Sequence, residues 1–140
     1  MSAVKLDTLE ATLVHLESHG DGTCILTLGD VCHYYDAPDP ATSIGCADEY
    51  LLHIELAGDA PPGAIRLIGR QVDEFWIDFP GGGQGTLFDP DFTATGECAL
   101  EVTFRGGGKF QIAATHIRFV PIGPIDRHTF YPLPPPRQLG

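Results

Sequence analysis

The chain has 140 residues and a formal net charge of −11 at neutral pH, from 19 acidic and 8 basic side chains. That length supports one domain with a real core, and 43% hydrophobic with 19% charged content fits a globular rather than a disordered chain. The charge has the wrong sign for a phosphate-binding surface, so direct nucleic-acid binding is not expected. No apolar run approaches the ~20 residues of a membrane helix, so no membrane partner is expected either.

The opening MSAVKLDTLEATLV has no basic head, apolar stretch and cleavage site in succession, and we expect a cytoplasmic protein. Within it Asp7 and Glu10 resemble a capping pair, and Leu9, Leu13 and Leu16 fall at helical spacing. Thr12, Val14 and Leu16 alternate equally well, so a short N-terminal helix and a first strand are equally supported. HGDG, His19 to Gly22, looks like a hairpin turn between two alternating stretches. Strands are expected over Thr23 to Leu28 and Val31 to Tyr35. The loop DAPDPATS follows, and then a strand with Tyr50, Leu52, Ile54 and Leu56 on one side and Leu51, His53 and Glu55 on the other.

GDAPPG is a loop by composition, and Ala64 to Ile68 is a further strand candidate. In EFWIDF, Phe75, Ile77 and Phe79 share one side, with Glu74, Trp76 and Asp78 opposite. Three glycines follow this segment, and three more follow LEVTFR. A phosphate cradle would need a helix after the glycines. After Gly108, however, Phe110 and Ile112 alternate with Lys109 and Gln111, so the chain continues as a strand. Residues 98–115 therefore read as a hairpin turning at Gly106 to Gly108, and PGGGQG as a looser one. DPDFTATG is expected to be a loop, and Ile117 to Ile122 a last strand. The final segment holds six of the twelve prolines, so the regular domain is expected to span 1–120 with a Pro-rich tail at 121–140. Together these elements predict an all-β fold, an antiparallel sandwich or barrel of about eight or nine short strands.

Chemical motifs are sparse. His15 and His19 would share a helix face with Glu17 and Asp21 nearby, but they separate on a strand and match no zinc spacing; no metal site and no cofactor are expected. DPDFTATGE starts like a calcium loop, yet Ala94 and Leu100 occupy the positions that need Gly and Glu. The cysteines, Cys24, Cys32, Cys46 and Cys98, form no C-x-x-C pair and are expected to be reduced. There is no G-x-S-x-G elbow, and a Cys–His dyad using Cys32 or Cys46 would be visible only in space.

The charge is lopsided. Between Lys5 and Arg66 there is no Lys or Arg, while eleven of the nineteen acids lie there. The leading expectation is a non-catalytic interaction module with an acidic face, including Glu17, Asp36, Asp39, Asp48 and Glu55, that binds a basic protein as immunity proteins and nuclease inhibitors do. The second is a small β-barrel enzyme or ligand-binding protein with a pocket lined by Tyr50, His53, Trp76 and His116. Oligomeric state is left open.

Overall fold

The structure, a computed structural model, describes residues 5–35, 43–122 and 129–132; for His33, Tyr35, residues 43–50 and 129–132 it describes the backbone alone. Among the described residues ten strands run in chain order. They are β1 (Lys5–Asp7), β2 (Thr12–Ser18), β3 (Cys24–Tyr35), β4 (Ser43–Leu56), β5 (Val72–Phe79), β6 (Gly82–Gly85), β7 (Leu87–Phe88), β8 (Thr93–Phe104), β9 (Lys109–Ile122) and β10 (Thr129–Pro132). They form one antiparallel sheet ordered β6–β5–β8–β9–β4–β3–β1–β7, with β2 also on β3 and β10 on β4. The sheet curls back on itself. Leu13 N donates to Arg70 O at 3.1 Å, Gly69 N to Leu13 O at 2.7 Å and Val72 N to Ala11 O at 2.7 Å, so β2 meets the approach to β5. The result is a nearly closed antiparallel barrel, the all-β architecture the alternation implied.

Alternation fills the interior. Leu52, Ile54 and Leu56 of β4, Phe75 and Ile77 of β5, and Leu100, Val102 and Phe104 of β8 all point inward and are buried. So are Phe110 and Ile112 of β9 beyond the Gly106–Gly108 turn, where three consecutive residues take positive φ of 82°, 100° and 99°. A five-ring cluster occupies one region: Phe88 lies 5.5 Å from Phe75, 5.0 Å from Phe92 and 5.1 Å from Phe119, and Phe79 joins through Phe92 at 5.9 Å. Phe104→Ala should cost ~3–5 kcal/mol through lost burial and a residual cavity, whereas exposed Lys109→Ala should stay within ~0.5 kcal/mol. Urea denaturation of both variants checks the contrast.

Several local expectations change. The N-terminal segment is strand rather than helix. A bulge between Leu13 and His15 turns Leu13 inward and leaves Val14 exposed, so the apparent Thr12, Val14, Leu16 face is broken. Thr23 to Leu28 and Val31 to Tyr35 merge into one strand, kinked at Asp30 with φ 54°, a conformation Asp tolerates better than most residues. Ala64 to Ile68 is not a strand. It holds a 3-10 turn, Ala64–Leu67, bracketed by Gly63 (φ 97°) and Gly69 (φ 93°).

The looser hairpin is present but tighter than expected: the chain reverses at Pro80–Gly81, and Gly82–Gly85 already pair with β5. DPDFTATG is loop only as far as Phe92, since β8 begins at Thr93. Nor does pairing stop at Val120. Pro121 stands opposite Leu52 on β4, beyond the last β8 partner at Arg118, so it has a ladder neighbour on one side only. β10 adds an edge strand to β4. Cys24 and Cys98 are free and buried, but Cys32 is disulfide-bonded, contrary to the expectation of four thiols; sequence spacing carries no record of cross-strand neighbours.

Candidate functional site

The outer face of β2, β3, β4 and β9 carries side chains in cross-strand rows. Glu17, Ile25, Glu55 and Arg118 lie in register across the four strands. One step along come His15, Thr27, His53 and Val120, where Thr27 is buried between its neighbours although it faces outward. Leu51 and Ile122 are paired and exposed in the next row, beside exposed Val14.

The acidic row ends in a cleft of about 360 Å³. The β2–β3 turn supplies His19, Asp21 and Thr23, β4 supplies Glu55 and Leu56, and β9 supplies His116. Asp21 shapes this rim by ordering its own turn. Its Oδ1 accepts from the Thr23 hydroxyl at 2.6 Å and from the Thr23 backbone N–H at 3.1 Å, while Gly22 takes φ 85°. The hydroxyl bond above all, then the amide, holds the Asp21 carboxyl below its usual range. A lowered carboxyl pKa means the ordering of the turn is complete above the ordinary aspartate range and is lost as pH falls through the lowered value. The Thr23 amide resonance should therefore titrate with a midpoint below the ~3.9 of a free aspartate, and Asp21→Asn should remove that titration.

Glu55 faces Arg118 at 3.6 Å, and His19 stands 3.9 Å from Glu17 on the same rim. His116 Nδ1 lies 3.5 Å from Thr95 Oγ1. Cys24 lines the cleft wall between these groups. Burial first, and then the charge of Asp59, push its thiol up against the opposing effect of the Ala60 N–H. A thiol held protonated is a poor nucleophile despite two nearby imidazoles. Iodoacetamide at neutral pH should leave both Cys24 and Cys98, whose thiol burial also raises, unmodified in the folded protein; mass spectrometry checks this.

The structure distributes the sequence-derived residues unevenly. Glu17 and Glu55 share one row. Asp36 and Asp39 lie outside the described residues, as do the side chains of Asp48 and Tyr50, whose backbone belongs to β4. His53, Trp76 and His116 do not line one cavity. His53 is in the histidine row and His116 in the acidic cleft. Trp76 lies on β5, across β8 from β9, with its indole against Gly83 and Gly85 and its Nε1 donating to Asp78 Oδ1 at 2.8 Å. His15 and His19 separate as the strand alternative implied, His15 into the row and His19 into the turn. Thr23 is a new member of the site, and Asp21, weighed from sequence only as a neighbour of a possible His15–His19 metal pair, enters it in another role. The advance signal for Thr23 was the turn chemistry of HGDG, which is a statement about backbone and not about neighbours.

No protein family, curated protein or solved structure gives a match to this chain. Fold and site alone define its class: a nearly closed antiparallel β-barrel with an acidic cleft in its outer wall.

Proposed function

We propose that the protein is a non-catalytic interaction module that docks a basic protein partner on the outer face of β2, β3, β4 and β9, with a cationic side chain of the partner entering the acidic cleft. The observation that carries this is the cleft itself, lined by Asp21 and by Glu55, which also faces exposed Arg118, with apolar walls from Ile25, Leu56 and Ala57. An arginine or lysine has the complementary shape, a charged tip on an apolar stem. Glu17 extends the negative row outward, and exposed Val14, Leu51 and Ile122 supply apolar contact area beside it. Most of the net charge deficit lies in the segment that builds this face, which favours electrostatic steering of a basic partner.

The test uses a hexa-arginine peptide and stopped-flow kinetics. Association should slow steeply as ionic strength rises, because the Debye length contracts from ~30 Å at 0.01 M to ~8 Å at 0.15 M. Glu17→Lys with Glu55→Lys should reduce the on-rate at low salt by at least about tenfold. Glu74→Lys with Glu101→Lys, exposed positions on β5 and β8, keeps the change of charge but moves it away from the cleft. Equal slowing by this second pair of reversals would reduce the effect to net charge and remove the case for this site.

A further inference from the structure

The basic side chains follow a pattern of their own. Among the described residues there are six Lys and Arg, and four have assigned partners. Lys5 Nζ pairs with Asp89 at 2.7 Å, and Arg105 pairs with Glu10 at 2.7 Å and donates to Gln71 Oε1. Arg70 donates to Gly107 O at 2.7 Å, and Arg118 faces Glu55. Arg66 and Lys109 have neither an ion pair nor a side-chain hydrogen bond among the described residues. Both line the same cleft.

This second cleft, of about 400 Å³, opens between the 3-10 turn and the start of β9, at the end of the barrel marked by the β8–β9 turn. No carboxylate lines it. Ala64, Leu67 and Phe110 contribute apolar surface, Pro61 and Pro62 form one wall, and Gln111 adds a neutral amide. Gly108 completes the rim and can be nothing larger: its φ is 99°, and a Cβ there would stand 2.7 Å from Leu67 Cδ2. The hydrogen bond from Arg70 to Gly107 O fixes the loop beside it, so the rim is anchored by a base that is already engaged.

We propose that this cleft binds a small organic anion with an apolar body, its carboxylate or phosphate head held between Arg66 and Lys109. Arg presents a planar fork to such oxyanions and Lys a mobile point charge, and together they suit a head group offered at the mouth of an apolar slot. A lone inorganic ion would leave the Leu67 and Phe110 surfaces unused. A cationic or neutral ligand would leave both charges unanswered. The site is separate in residues and in sign from the acidic cleft, so it stands or falls independently of the protein-docking proposal.

The experiment is an NMR titration of the intact protein, following backbone amides with hexanoate, hexyl phosphate, acetate, hexylamine and hexanol. Hexanoate or hexyl phosphate should shift Gly108, Lys109 and Gln111 saturably, with the stronger of the two identifying the head group. Acetate should bind at least about tenfold more weakly, because it lacks the methylenes that would be buried. Arg66→Gln and Lys109→Gln should each weaken hexanoate or hexyl phosphate about tenfold, and both residues are exposed, so the fold should survive. The proposal is overturned by equal shifts from hexylamine, by unchanged affinity in the double variant, or by no saturable shift up to roughly 50 mM ligand, beyond the weakest binding such a site would show.

Discussion

Phe88→Ala should lower the free energy of unfolding by ~3–5 kcal/mol, at the upper end of what removing one core side chain does. The ring is fully buried and meets three others, lying edge-on to Phe75 (84° between planes) and Phe92 (76°) and tilted to Phe119 (53°). Such ring pairs contribute ~0.5–1.5 kcal/mol beyond area burial. The neighbours cannot collapse into the gap easily, because they come from β5, β9 and the loop before β8, and each is anchored by its own backbone pairing. Phe88→Leu keeps most of the volume and should recover about half the loss. Urea unfolding followed by circular dichroism measures both; a loss below ~1 kcal/mol for the alanine variant would mean the cluster is not packed as described.

Gly58→Ala should be comparably damaging for a different reason. A Cβ at this position would stand 2.1 Å from the Ala113 carbonyl oxygen and 3.1 Å from Ala114 Cα, both backbone atoms of β9. Side-chain repacking cannot relieve that contact; the strap of residues 57–63 must lift away. Two bonds hold it in place, Ala57 N to His116 O at 2.9 Å and Thr115 N to Ala57 O at 3.0 Å. Overpacking typically costs ~1–3 kcal/mol, and a backbone clash that also strains these bonds belongs at or above the top of that range. Because the strap borders both clefts, the variant should also alter His116 and Pro61 environments together. Hydrogen exchange at Thr115, faster by the factor that matches the lost stability, is the local readout.

The parts of the fold legible in the sequence are those governed by neighbours two residues apart. Phe75 with Ile77, Leu100 with Val102 and Phe104, and the glycine turn between β8 and β9 follow from period two and positive φ alone. What the sequence concealed depends on contacts distant along the chain. The bulge at Val14 follows from how β2 pairs with β3, and Phe88 joins the core because β7 finds β1. The glycines of β6 read as the turn of a loose hairpin because glycine weakens a strand; they pair with β5 instead, and at Gly83 and Gly85 the Trp76 indole occupies the space a side chain would fill. The same limit applied to the candidate site. Glu55, His116 and His19 were each singled out, but for three separate roles, and only barrel curvature brings them to one cleft.

That indole also determines how the molecule reports on itself. Trp76 is the chain's one tryptophan, 43% exposed and seated on the outer face of β5, between the end strand β6 and β8, rather than in the core. Its emission therefore follows detachment of β6 from β5, a local event at the sheet's end. A fluorescence melt should precede the ellipticity melt, and a stability taken from emission alone would describe the loss of β6 and not of the barrel.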